Sequence, residues 1–318
     1  MHALEYQMVI EHHPVMLQEV LQGLNIDPAG IYIDATFGRG GHARAILETL
    51  NQQGRLLVLD KDPEAIRVAE ELSQQDDRLI SYQSSFSHLQ TLCEKEGIVG
   101  RVKGILMDLG VSSPQLDTAE RGFSFRLNGP LDMRMDPTCG VSAAEWLNEA
   151  EEQEIAWVLK SYGEEKFYRR IARAIVVART VLPLETTQQL AEIIAKANPA
   201  WEKHKHPATR CFQAIRIWIN RELEDLTGAL DQALAVLAVG GRLAVISFHS
   251  LEDRIVKRFI QKHEKGDEYP RDLPIMAREL HPKLQRVVRQ MKPSLVEIEQ
   301  NSRARSAVLR VAEKIGDL

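Results

Sequence analysis

The chain has 318 residues, 44% hydrophobic and 27% charged, enough for a large core on the order of two domains. Its net charge of -5 argues against indiscriminate polyanion binding, which rests on Lys and Arg. No basic segment precedes an apolar run at the start, residues 233–248 are too short and too interrupted to span a bilayer, and Cys93, Cys139 and Cys211 form neither a disulfide frame nor a zinc spacing. A cytoplasmic protein without membrane or metal is expected.

Strand and helix signals alternate through the first third. Gly30–Thr36 reads as a short buried strand, followed by a glycine-rich turn and a helix over 41–52. Arg55–Asp60 is a second strand, and Asp62–Leu72 a helix with Pro63 in its first turn. Arg78–Gln83, a helix over Phe86–Glu96 and the strand Val102–Leu109 follow. Such alternation predicts a parallel, doubly wound sheet. From Ser112 to Lys205 strand signals vanish. Capping boxes open helices at Ser142–Glu145 and Thr186–Gln189, and Ile171, Ile175, Ala178 and Leu182 repeat at helical spacing. From Phe212 to Leu237, apolar residues step by three and four along one continuous helical face. Gly240-Gly241 ends it, and Arg242–Phe248 resumes the sheet, with Ser306–Ala312 as a last strand. The prediction is an α/β fold. Residues 1–112 and 206–318 form the sheet domain, and 113–205 a mostly α-helical insertion.

Charge is uneven. Eight Lys/Arg against three Glu lie between Arg278 and Arg310, and Arg169, Arg170, Arg173 and Arg179 cluster, so an acidic protein can still present a basic face.

The segment Asp34-Ala-Thr-Phe-Gly-Arg-Gly-Gly-His42 joins the first strand to the first helix. Its glycines let backbone pass close to a ligand, and the helix start offers free N–H groups. Asp60 ends the second strand, where an acid accepts from ribose hydroxyls. Nicotinamide and S-adenosylmethionine enzymes share both features. Asp34 favours S-adenosylmethionine, because a carboxylate there repels a pyrophosphate but suits the methionine ammonium. Asp108 agrees: the apolar run Gly104–Met107 ends in this acid and a turn of small polar residues, which hydride transfer does not require.

Methyl transfer from a sulfonium is an in-line displacement that needs alignment and exclusion of water. An exocyclic amine on a base is a poor nucleophile, and acceptors for its protons bring its lone pair forward. Asp108 with a backbone carbonyl in Leu109–Pro114 could supply them. Methylation at carbon 5 of a pyrimidine would need a thiolate, and no cysteine stands at a strand end beside an activating neighbour.

The motifs His12–Met16, Asp34–His42, Asp60–Pro63, Asp108–Asp117, Arg121–Phe125, Gly129–Asp136, His206–Arg210, Ile246–Arg254 and Asn301–Ser306 run in order over nearly the whole chain. On these the chain resembles the bacterial 16S ribosomal RNA cytosine N(4)-methyltransferase family (RsmH, also called MraW). The resemblance implies a Rossmann-like S-adenosylmethionine-dependent methyltransferase sheet with an inserted helical domain. It implies methyl transfer to a cytosine in the decoding centre (P site) of 16S rRNA, with the small ribosomal subunit as partner. Carried onto matching positions, Gly40, Gly41, His42, Asp60, Phe86, Asp108 and Gln115 would contact the cofactor. Ala35 stands where some relatives carry Gly. On the substrate side, Phe123 or Phe125 could stack on a flipped base, Arg121 could meet a phosphate and His249 could face the acceptor pocket. Arg303 and Arg305 either contact phosphate or anchor the last strand. Asp132, Arg134 and Asp136 suggest an internal salt-bridge network. His12 and His13 lack partners at metal spacing. A homodimer is left open. The competing functions are a catalytically silent subunit-assembly factor and an NAD-dependent oxidoreductase.

Overall fold

A computed structural model describes residues 14–201, 206–267 and 280–316. His12, His13 and Arg278 lie outside them. Seven strands form one sheet: β1 (Ile31–Asp34), β2 (Arg55–Asp60), β3 (Leu79–Gln83), β4 (Val102–Asp108), β5 (Leu237–Ser247), β6 (Leu284–Met291) and β7 (Val308–Lys314). Their order is 3-2-1-4-5-7-6. The first five pair in parallel, and β7 runs antiparallel between β5 and β6. This is the doubly wound sheet that the strand–helix alternation predicts, in the Rossmann-like form that the resemblance implies.

The helices are α1 (Leu17–Leu24), α2 (Gly41–Thr49), α3 (Pro63–Ser73), α4 (Leu89–Lys95), α5 (Ser113–Asp117), α6 (Ala143–Glu149), α7 (Glu152–Ser161), α8 (Tyr168–Val181), α9 (Thr187–Ala197), α10 (Thr209–Asn220), α11 (Glu222–Val236), α12 (Ser250–Lys265) and α13 (Leu295–Gln300). The central strands are apolar on both faces because each face is covered. Ile33, Leu57, Leu59, Ile105 and Met107 pack with α4, α11 and α12, while Tyr32, Leu56, Val58 and Leu106 pack with α1, α2 and α3. Asp62 caps α3, accepting from Glu64 N at 3.0 Å, and Pro63 occupies the first turn. Both predicted capping boxes form, at Ser142/Glu145 and Thr186/Gln189.

The insertion builds its own core from α6 to α10, including Trp146, Ile155, Ile171, Leu190 and Phe212, and reaching Leu223. This helical core therefore continues past the expected boundary at 205. Cys93 and Cys211 are buried in helices, as expected of small core residues. Among the described residues no helix is long and apolar enough to cross a membrane.

Three expectations change. The face from Phe212 to Leu237 is neither one helix nor one stripe, since Phe212, Ile215 and Leu223 pack in the helical core and Leu226, Leu230, Leu234 and Leu237 in the core of the sheet. Arg221 adopts φ 54°, separating α10 from α11. The side chain of Asn220 at that break accepts from Met135 N at 2.7 Å and donates to Met133 O at 2.8 Å, while Lys61 Nζ donates to Asn220 O at 2.8 Å. The joint thus ties the insertion to the end of β2. The predicted helix over 86–96 is a 3-10 turn (Phe86–His88) followed by α4. Part of the basic C-terminal stretch forms strand β6.

Candidate active site

Strand order reverses between β1 and β4: the chain moves outward through β2 and β3, then returns to β4 on the other side. A doubly wound sheet opens a crevice at such a switch point, beyond the carboxyl ends of its strands. The main cavity lies there, with an empty volume of about 1290 Å³ open to solvent. β1 ends in Asp34, β2 in Asp60 and β4 in Asp108. Asp60 and Asp108 line the cavity, and Asp34 lies beneath the loop, 1% exposed.

Backbone geometry fixes the three acids. Asp60 Oδ2 accepts from Gly38 N at 2.8 Å and its Oδ1 from Asp62 N at 2.9 Å, pinning the glycine loop to β2. Asp34 Oδ1 accepts from Thr36 N at 3.1 Å, and Thr36 Oγ1 accepts from Asp108 N at 2.7 Å. Gly40 has φ 76° and immediately precedes α2, and a Cβ there would stand 2.6 Å from the Phe37 ring. Gly38, Gly41, His42, Phe86 and Gln115 line the cavity. Gly40 is buried just behind its wall. The Gln115 amide is committed, accepting from Ser112 N at 2.9 Å and donating to Asp62 Oδ2 at 2.9 Å.

Burial raises all three acids. Asp34 is pushed up to about 7, with Thr36 N opposing and Asp60 reinforcing. Asp60 rises to about 6, with the Asp62 and Gly38 amides opposing. Asp108 lies well above the ordinary carboxylate range through burial, then through the charges of Asp34 and Glu252. Burial lowers His42 to about 4, so its ring is neutral. His42 Nε2 faces Val15 O at 3.0 Å, and a carbonyl only accepts, so Nε2 carries the hydrogen. A bare Nδ1 then faces Asp108 Oδ2 at 3.6 Å, which suits a protonated Asp108 while the site holds no cation. Asp34 Oδ2 and Asp108 Oδ1 are buried without a hydrogen-bond partner. Two orphaned acceptors at adjacent strand ends beside the glycine loop suit a cationic donor.

The MraW methylase family model matches residues 9–315. The ribosomal RNA small subunit methyltransferase H of Nitrosococcus oceani is 58% identical, over 96% of this chain and 98% of its own. The protein of the same name from Thioalkalivibrio sulfidiphilus is 57% identical, over 96% and 97%. The chain belongs to the MraW methylase family. It is a methyltransferase, and S-adenosylmethionine is its cofactor. The donor set fits that cofactor, since Asp108 brings an unpartnered acceptor oxygen to the cavity wall and a cationic ligand needs acceptors.

Within this MraW-family site, the predicted substrate residues are not brought together. Arg121 is 8% exposed and faces inward. It donates to Asp62 Oδ2 at 2.8 Å and to the carbonyls of Arg134 and Met135 at 3.2 and 2.8 Å, so the expected phosphate contact is corrected to an internal ion pair. Phe123 is buried at 6% exposure beneath the Arg121 guanidinium, and no face is open for a base. Phe125 stacks on His206 at 4.5 Å and meets Phe212 edge-on, in the insertion and not at the cavity. His249 does not line the cavity; its Nε2 lies 3.1 Å from Glu252 Oε1. Arg134 pairs with Asp132 at 2.7 Å, as suggested, while Asp136 bonds Thr138. Of the basic C-terminal stretch, Arg303 lines the cavity, as Arg39 and Lys61 do from elsewhere in the chain, and it pairs with Asp117 at 2.6 Å. Arg169, Arg170 and Arg173 are exposed, whereas Arg179 donates to the carbonyls of Leu147 and Ala150.

Sequence reasoning missed Val15, Glu222, Leu226, Phe248 and Glu252 as cavity residues. Val15 carried a signal in the motif His12–Met16, and Phe248 and Glu252 in the motif Ile246–Arg254, whereas Glu222 and Leu226 lie in none of the motifs. Glu222, His249 and Glu252 bring ligand-type atoms within 4.8 Å of one another. Arg216 already holds both oxygens of Glu222, at 2.7 and 2.8 Å, and meets the charge that a cation would otherwise balance.

Proposed function

We propose that this protein methylates the exocyclic N(4) amine of a cytosine in the decoding centre of 16S rRNA, acting on the small ribosomal subunit in the cytoplasm. The names of its relatives support the ribosomal target. The observation that carries the chemistry is Asp108: a strand-end carboxylate with a free acceptor oxygen at a cavity lined by no cysteine among the described residues. Burial raises the Cys93 and Cys211 thiols, the former to about 12, so neither supplies the thiolate that carbon-5 chemistry requires. S-adenosylmethionine, when bound, supplies a methyl group on a sulfonium.

The chain's residues then align and hold. Asp60 accepts from the ribose hydroxyls with the lone pairs that Gly38 and Asp62 leave free. Phe86 lies against the adenine. The Gly41–His42 helix start and Gln115 complete the binding wall, with Gly40 fixing its turn. Asp34 and Asp108 hold the ammonium, and Asp108 accepts a proton of the target amine.

Two outcomes are expected. Mass spectrometry of nucleosides from undermethylated small subunits treated with enzyme and cofactor should give N(4)-methylcytidine; 5-methylcytidine would overturn the amine reading. Cofactor affinity should rise with pH through about 7. Below that, Asp34 holds a proton in the free protein and must lose it to meet the ammonium. The sign for stability is opposite. A carboxyl raised from 3.8 to about 7 in the folded state destabilises the ligand-free protein as pH rises across that window. Calorimetry of cofactor binding in two buffers reads the released proton. Affinity independent of pH would remove both acids from the cationic end.

A further inference from the structure

The acceptor side of the cavity has a second carboxylate. Glu252 lines the cavity beside Phe248, is 2% exposed, and lies close enough to Asp108 to raise its pKa. It is the third residue of α12, and its Oε2 accepts from Phe248 N at 2.8 Å and from His249 N at 3.2 Å. That is an ordinary helix-capping role, and it uses one oxygen. The other oxygen, Oε1, lies 3.1 Å from His249 Nε2, and a carboxylate oxygen has a second lone pair for a donor in the cavity. A cap needs neither a buried negative charge nor a place in the cavity wall. Here the charge is kept. Burial works to raise the Glu252 carboxyl, but His249, then Arg216, outweigh it and hold it below the ordinary value.

The turn after β4 brings the two acids to one place. Leu109 N donates to Ile246 O at 2.9 Å, and a Cβ on Gly110 would stand 3.4 Å from the Phe248 ring. Asp108 with the turn after it, and Phe248 with Glu252, thus form two adjoining sides of one corner of the cavity. Asp108 Oδ1 has no protein partner there, and its two lone pairs can serve the ammonium and the amine together. An exocyclic amine carries two hydrogens. When both are held by acceptors, its lone pair is drawn out of conjugation with the ring.

We propose that Glu252 is the second acceptor for the amine of the target base, Asp108 being the first, in place of the backbone carbonyl that the sequence suggests. This rests on the amine-transfer reading above. A ring presenting a carbonyl oxygen where cytosine has its amine would meet two carboxylates and be repelled, so the pair also selects cytosine over uracil.

Glu252→Gln separates this role from the cap. The amide keeps an oxygen for both backbone donors and loses the charge. The wild-type enzyme is first shown to form N(4)-methylcytidine on undermethylated small subunits, which tests the underlying reading by itself. Single-turnover rates should then fall about 10²-fold in Glu252→Gln, the size of a lost transition-state hydrogen bond. Melting temperature should stay near the wild-type value, and S-adenosylhomocysteine affinity should not fall, since losing the charge of Glu252 eases ionisation of Asp108. A rate within about threefold of wild type overturns the proposal and leaves Glu252 a cap. If the amide variant melts early, Glu252→Asp serves instead, since it keeps the charge but withdraws it by one methylene. The same loss of rate is expected, and a folded Glu252→Asp enzyme at wild-type rate overturns the proposal equally.

Discussion

Replacing Asp62 with alanine is expected to destabilise the protein by about 3–5 kcal/mol, the cost of leaving one partner of a buried ion pair uncompensated. Asp62 is 4% exposed and holds three elements at once. Its Oδ1 caps α3, and its Oδ2 accepts from Arg121 and from Gln115. Without it, Arg121 keeps two carbonyls and Glu64, 3.8 Å away and half exposed, which places the loss toward the lower end of the range. Denaturant unfolding of Asp62→Ala measures this. Gln115 and α5 lose their anchor in the same variant, so affinity for S-adenosylhomocysteine should fall with stability. Asp62→Asn, which can keep the cap, should recover part of both. An Asp62→Ala protein within about 0.5 kcal/mol of wild type would mean that the pair is not held in solution.

Asp60→Ala acts on the cofactor and not on the core. Its two oxygens carry the glycine loop and the start of the next turn, and they lie in the cavity wall. Removing them should weaken S-adenosylhomocysteine binding by about 1–3 kcal/mol, the range for buried polar groups left unpaired. Burial already raises Asp60 to about 6, so the protein spends stability to keep an acid there. The predicted signature is weaker binding by calorimetry with little change in melting temperature. Unchanged affinity would take Asp60 out of the cofactor site.

The fold was legible where local and global signals agree. β1, β2 and β4 are short apolar runs closed by aspartate, and two of the three aspartates, Asp60 and Asp108, line the cavity. β6 was not legible, because Leu284–Met291 is an edge strand with arginines and glutamine where an apolar face would be. The break at Arg221 carries no glycine or proline; it is imposed by Asn220 bonding backbone 85 and 87 residues away. Arg121 misled for a similar reason. A cation between polar and aromatic residues looks like surface, and only the fold brings Asp62 and two carbonyls around it. Glu252 stood in a recognised motif, but a histidine beside it offered the more familiar chemistry. Only the cavity shows that the glutamate, not His249, faces inward.

In the proposed reaction, Asp108 is the meeting point of cofactor and amine. The direct measurement is transfer from methyl-labelled S-adenosylmethionine to undermethylated small subunits by wild type and Asp108→Ala, with the labelled nucleoside identified by mass spectrometry and subunit binding measured in parallel. N(4)-methylcytidine from wild type alone, with both proteins binding the subunit, is the predicted result. Equal labelling by Asp108→Ala would contradict the account, and binding without labelling by either protein would turn it toward a subunit-assembly factor.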